Sequence, residues 1–235
     1  MAYYSENKKK TRKKGKIKSV IITILVAVVL LIIIGLGYIN SKVPLWDIVR
    51  VRFFSSKKVV VLDPGHGGKD PGCGNDIYEK EVVLNILKDT AKSLKLAGYE
   101  VVITRDDDTF VDLSGRIIKS RMYHADMFVS VHLNWSDNRD AYGVETYCNK
   151  GLNSESEKLA NAVHRGVLKN VKSLDRKVRT DSDYYVVRNS SVPSIIVEVG
   201  FLSSKKEGDK LKKKTYQNTI SKGIVDGIID YSGKK

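Results

Sequence analysis

His66, Glu79, His132 and Glu198 are the residues of this chain best placed to do chemistry, because of what precedes each of them. His66 lies in the turn Asp63-Pro64-Gly65-His66-Gly67-Gly68, directly after the run Val59-Val60-Val61-Leu62. His132 ends Ser130-Val131-His132, and Glu198 sits in Ile195-Ile196-Val197-Glu198-Val199-Gly200. Glu79 opens a helical pattern that follows the first run. Short β-branched runs closed by such turns read as buried strands. In open α/β sheets, sites form beyond the carboxyl ends of the strands. All four residues are therefore expected on one rim. Two histidines and a carboxylate are a recurring ligand set for catalytic zinc, with a fourth position left for water. Zinc lowers the pKa of that water towards about 7. A carboxylate outside the metal shell must then accept the proton and pass it to the leaving nitrogen. Glu198 fits that post, because an acid within an apolar run is costly to bury without a partner or a task.

Each piece alone has a plainer explanation. A Gly-rich turn serves any tight bend, and a nest of backbone amides suits an anion. A single histidine at a strand end is often an ordinary hydrogen-bonded core residue. Glu79 and Glu81 stand two apart, so on a helix only one of them faces a metal. Asp63 and Asn134 are candidates for hydrogen-bonding the ligands. Glu145 and Arg188 are candidates for the wall of a substrate groove, and all four could equally be surface residues. His124, at a helix end, and His164, within a helix, read as structural. Cys73 and Cys148 form no CxxC pair and no disulfide framework, so both are expected as free thiols.

The elements that must position these residues follow from periodicity. Helical spacing marks Glu79–Ala97, Leu113–His124 with Asp112 as its cap, Ser154–Val171, and a last helix through Tyr216, Ile220, Ile224 and Ile228. Strand patterns mark Val59–Leu62, Glu100–Thr104, Met127–His132, Val144–Cys148, Tyr184–Val187 and Ser194–Val199. The alternation predicts one α/β domain over 58–232, with a mixed, largely parallel sheet flanked by helices.

The first 57 residues differ in kind. Eight of the 41 basic residues fall within the first 18 positions of the 235-residue chain, opposed there only by Glu6. Val20 to Ile39 is uncharged, and twenty helical residues span roughly 30 Å, the thickness of a bilayer core. A cleaved signal peptide has a shorter apolar stretch and a small-residue cleavage site. The expectation is a basic cytoplasmic tail (1–19) and an uncleaved transmembrane anchor (20–39). A juxtamembrane linker (40–57) would follow, with everything beyond Ile39 outside the cell. Trp46, Phe53 and Phe54 suit a membrane interface, and Val49–Phe53 alternates like a short edge strand. Beyond the basic tail the net charge of +14 falls to about +7. A basic surface suits an anionic polymer. No zinc-finger or RRM-type signature points to nucleic acid.

The chain also resembles the zinc-dependent N-acetylmuramoyl-L-alanine amidases of the amidase-3 family. The matching segments are VVVLDPGHGGKDPG (59–72), YEKEVVLNI (78–86), GYEVVITRDDDTFVDLSGR (98–116), ADMFVSVHLN (125–134) and VPSIIVEVGFLS (192–203). The resemblance implies zinc held by His66, Glu79 and His132, with Glu198 as the catalytic carboxylate. It places the glutamate ligand in a Glu-Lys-x-Val pattern, which is Glu79 and not Glu81. The implied substrate is peptidoglycan, cut between the lactyl group of N-acetylmuramic acid and L-alanine. Cys73 stands where the family usually has a small apolar residue, and is expected as a small buried side chain. The compact segment from Gly151 to Arg188 leaves no room for the inserted helix that covers the site in some members, so an open cleft is expected. Two alternatives stay in view: a non-catalytic wall-binding module on the same fold, whose signature would be a missing ligand or acid, and a zinc carboxypeptidase acting on stem peptides.

Overall fold

The computed structural model describes residues 23–31, 45–74, 77–149, 154–180 and 182–233. The chain divides into two units, residues 1–50 and 51–235. Residues 23–31 form helix α1. The rest of the apolar run 20–39 lies outside the described residues, as does the basic tail 1–19. No helix among the described residues is long and apolar enough to cross a membrane. Helix α2 (Leu45–Phe54) occupies the segment expected as a linker. Val49–Phe53 is thus helical and not an edge strand; a helix pairs backbone groups within its own segment and needs no sheet edge to join.

The second unit is built on a six-stranded sheet of order β2-β1-β3-β6-β4-β5. The strands are β1 (Val59–Pro64), β2 (Glu100–Ile103), β3 (Met127–Asn134), β4 (Val144–Cys148), β5 (Asp175–Arg179) and β6 (Ser194–Phe201). β1 runs parallel to β2 and β3, and β3 parallel to β6. β4 is antiparallel to β6 and parallel to β5. The mixed, largely parallel sheet matches the expectation. The carboxyl ends of β1, β3 and β6 and the amino ends of β4 and β5 therefore share one rim.

The helices are α3 (Glu79–Leu96), α4 (Leu113–Met122), α5 (Ser154–Val171), α6 (Tyr185–Arg188), α7 (Lys205–Leu211) and α8 (Lys214–Ser232). Asp112 caps α4 as expected, its side chain accepting from the Gly115 amide. The segment Tyr184–Val187, read as a strand, is the short helix α6. The fifth strand is instead Asp175–Arg179, a polar edge with alternating partial exposure. Four β-branched and aromatic residues could not by themselves distinguish one helical turn from a strand.

Side chains alternate across the sheet, and this alternation places the site. Val60 and Leu62, then Met127, Val129, Val131 and Leu133, then Ile195, Val197 and Val199 point to one face. There they join Val83, Ile86 and Leu87 of α3, Leu159 and Val163 of α5, and Ile220, Ile224 and Ile228 of α8 in the main core. The intervening residues point to the other face, which is the one with α4 and α6. Asp63 pairs in register with Ser130, Ser130 with Ile196, and His132 with Glu198. Glu145 and Tyr147 of β4 complete that row beside Glu198 and Ile196.

Candidate metal centre

The turn after β1 delivers His66 with a left-handed backbone, φ 61°. That conformation is uncommon for a side-chain-bearing residue and persists only where its surroundings hold it. Two buried arginines do so. Arg116, from α4, donates from Nη1 to the Pro64 carbonyl and from Nη2 to the His66 carbonyl, each at 2.8 Å. Arg105, just beyond β2, donates from Nη2 to the Gly65 and Lys80 carbonyls, each at 2.8 Å. Arg105 thus ties the His66 turn to the first turn of α3, which bears Glu79. Gly65 is required sterically, since a Cβ there would overlap the imidazole of His132.

His66, Glu79 and His132 come together, their ligand atoms lying within 4.8 Å of one another. Glu79 Oε1 is 3.0 Å from His132 Nδ1 and 3.2 Å from His66 Nε2. Backbone amides fix the carboxylate: Leu133 N donates to Oε1 at 2.9 Å and Cys73 N to Oε2 at 3.1 Å. His66 Nδ1 lies 2.8 Å from Asp70 Oδ2. Donation from Nδ1 to that carboxylate selects the tautomer whose Nε2 lone pair faces Glu79 and His132. Glu81, the rival to Glu79, is exposed.

Electrostatics agree with a cation site. Burial opposes ionisation of Glu79, but hydrogen bonds from His132 and His66 hold its carboxyl far below the usual range. Burial disfavours a charged His66, yet Glu79 and Asp70 raise it to about 9. His132 is raised for the same reason, by Glu79 against its burial. The cluster attracts positive charge, and a divalent ion can replace the protons it would otherwise gather. Two imidazoles and one carboxylate fit zinc better than calcium or magnesium, which favour all-oxygen shells.

Glu198 stands beside this group as the register partner of His132. Its Oε2 is buried with no hydrogen-bond partner. Burial pushes its carboxyl up to about 7. Such an orphaned acceptor is expensive and marks a group kept for a task. His66, His132 and Glu198 line a cavity of about 560 Å³ whose other walls include Phe110, Leu113 and Tyr185. The two histidine side chains remain about a quarter exposed, at 24% and 23%, so the site is open to solvent.

The remaining candidates fall elsewhere. Asp63 is buried and lines the cavity, but its carboxylate accepts from Thr104 Oγ1, Arg116 Nη1 and Ser130 Oγ, not from a ligand. It supports His66 only through Arg116. Asn134 Oδ1 accepts from the Trp135 amide. Glu145 is held by Arg179 Nε at 3.0 Å, next to Glu198 in register. Arg188 is exposed and pairs with Asp183 at 3.4 Å. Neither Cys73 nor Cys148 forms a disulfide. Cys73 Sγ donates to the Leu133 carbonyl, and burial, then the charge of Glu79, pushes the thiol far up. His164 is structural, between Thr146 Oγ1 and Asp175 Oδ1, each at 2.9 Å. Sequence reasoning missed Asp70, Arg105 and Arg116. All three lie inside segments quoted for the resemblance, and an acid four residues from a histidine ligand was the one available signal.

Comparison with known proteins agrees. The N-acetylmuramoyl-L-alanine amidase family profile, amidase-3, matches residues 60–230. The Bacillus subtilis protein YqiI is 37% identical over 176 residues, covering 74% of this chain and 84% of its own length. The N-acetylmuramoyl-L-alanine amidase LytC of the same organism is 35% identical, and the match spans 74% of this chain but 35% of LytC. Among solved structures, the catalytic domain of CwlV, an N-acetylmuramoyl-L-alanine amidase from Bacillus (Paenibacillus) polymyxa var. colistinus, superposes with a TM-score of 0.72 at 37% identity, covering 76% of this chain and 99% of that domain. The chain belongs to the amidase-3 family of N-acetylmuramoyl-L-alanine amidases, which hydrolyse the amide between N-acetylmuramic acid and L-alanine in peptidoglycan.

Proposed function

We propose that this chain is a zinc-dependent, membrane-anchored amidase whose metal is held by His66, Glu79 and His132 and whose proton carrier is Glu198. The observation that carries the reading is the convergence of His66 Nε2 and His132 Nδ1 on Glu79 Oε1, with both histidines and the buried, unpartnered Glu198 lining one cavity. Zinc held there would supply a Lewis acid that polarises the lactyl carbonyl and acidifies water. Glu198 then accepts a proton from the attacking water and returns it to the nitrogen of the departing L-alanine. Its raised pKa suits both halves of that task, since a carboxyl near neutrality both takes and gives a proton. Asp70, through Nδ1, keeps His66 oriented and electron-rich. Arg105 and Arg116 hold the spacing between the His66 turn and the Glu79 helix.

The apolar run 20–39 behind a lysine-rich tail supports a single-pass anchor with the amino terminus in the cytoplasm and the catalytic unit outside. This reading places the enzyme on the same side of the membrane as its polymer.

The test pairs metal analysis with product analysis on the purified chain in detergent. Stoichiometric zinc, and release of intact stem peptides from muramic acid by mass spectrometry, are expected. Loss of single terminal residues would indicate a carboxypeptidase, and unchanged fragments a binding module.

A further inference from the structure

The rim that bears the metal centre also carries a second, separate groove of about 680 Å³, which shares no lining residue with the first. Three segments meet there: the residues before β4, the turn before β5, and α7 after β6. Their cations are Arg139, Lys172, Lys205, Lys206 and Lys210, all exposed. The acids around them are spent or outnumbered. Glu207 is buried, its carboxylate accepting from the Gly143 amide at 3.1 Å, the Phe201 amide at 2.7 Å and Ser173 Oγ at 3.0 Å. Asp209 lies 3.9 Å from Lys212, leaving Asp140. Among the described residues, Lys172, Lys205 and Lys206 make no ion pair.

The position of this charge matters as much as its sign. Glu207 bridges the carboxyl end of β6 to the amino ends of β4 and β5, so the groove opens on the same rim as His132 and Glu198. Neighbouring strands are about 4.8 Å apart, which puts the groove roughly two strand widths to the side of the cleavage point. A polymer cut between β3 and β6 that extends towards β4 and β5 would pass this groove. Peptidoglycan offers carboxylates there, because each stem peptide ends in one and carries others on its side chains. Ammonium groups on flexible stems suit such mobile, irregularly placed anions, where a rigid guanidinium fork would demand one geometry.

We propose that the Arg139–Lys172–Lys205–Lys206–Lys210 groove is an accessory subsite for the carboxylates of stem peptides that neighbour the one being cut. It acts on polymeric substrate and not on a single muramoyl-peptide. The proposal rests on peptidoglycan being the substrate, but not on the identity of the metal.

The test compares the wild-type chain with a Lys205→Glu, Lys206→Glu variant, both positions lying in the first turn of α7. Glutamate is welcome in the first turn of a helix, so the variant is expected to fold; circular dichroism and thermal melting check this. Both are assayed on a single disaccharide-peptide, on peptidoglycan strands stripped of phosphate polymers and on walls that retain them, over a range of salt. We expect equal rates on the monomer, a loss of about ten-fold on the strands, and a flatter salt dependence of what remains. Equal rates on the strands would overturn the proposal. So would an equal loss on the monomer, which would make the groove part of the catalytic structure. A loss confined to walls that retain phosphate polymers would overturn it in favour of a phosphate-rich partner. A wild-type chain that cut neither substrate would instead overturn the amidase reading itself.

Discussion

Glu198 and His66 divide the chemistry between a proton carrier and a cation holder, and each makes a distinct prediction. Glu198→Gln keeps size and burial but cannot carry a proton. We expect it to lower kcat by about 10²- to 10⁴-fold, the usual contribution of general acid–base catalysis. Bound metal, read by elemental analysis, should be unchanged; equal loss of zinc would reassign Glu198 to the ligand shell. His66 is lifted to about 9 by Glu79 and Asp70. A proton on Nε2 and a metal compete for the same lone pair, so metal binding must release that proton. Apparent zinc affinity should therefore fall as pH drops below about 9, by up to ten-fold per pH unit while one proton is displaced. Competition with a chelator at several pH values measures this. A pH-independent affinity between 6 and 9 would exclude His66 as a ligand. At this scale the sequence was informative where a residue's type conflicts with its surroundings: an acid in Ile195–Val199, a histidine after Ser130-Val131. Asp70 was hidden because an aspartate in a Gly-rich turn needs no special reason. Arg105 and Arg116 were hidden because they serve backbone carbonyls, which have no signature in sequence.

The elements carry the ligands on two kinds of support, and both can be broken singly. The turn between β1 and α3 depends on the buried pair Arg116–Asp63, 2.6 Å apart. Arg116→Ala strands the Asp63 carboxylate and frees the His66 carbonyl. Removing one partner of a buried pair costs about 3–5 kcal/mol, so denaturant unfolding should shift by that order. A shift below about 1 kcal/mol, the surface-pair range, would mean that Asp63 is satisfied by Thr104 and Ser130 alone. The other support is the close contact of α5 with α8. A Cβ on Gly227 would run into the Val163 backbone, and one on Gly166 into the Gly223 carbonyl. Gly227→Ala should destabilise by about 1–3 kcal/mol, as overpacking does, although alanine favours an isolated helix. Thermal unfolding of the variant decides between these opposing effects. Parallel strands buried on both faces read as apolar runs, which is why β1, β3 and β6 were visible in the sequence. β5 was not, because Asp175–Arg179 is a polar edge that contributes little to the core. α6 was misread because its single turn packs β-branched and aromatic residues that favour strands in isolation.

For the whole molecule, the anchor proposal predicts where the activity is found. Full-length chain should sediment with membranes and resist extraction by high salt, whereas a variant lacking residues 1–39 should be soluble. Release of the full chain by salt alone would reduce the amino terminus to a peripheral, electrostatic attachment. The α/β class and the mixed, largely parallel sheet were legible because several independent runs agreed. The helical state of residues 45–54 was not, since ten residues fit either period. The chain comes into β1 at Val59, the amino-terminal edge of the sheet, while His66, His132 and Glu198 lie towards the opposite edge. Six residues of strand span about 20 Å, so the reactive face looks away from the point where the preceding chain attaches.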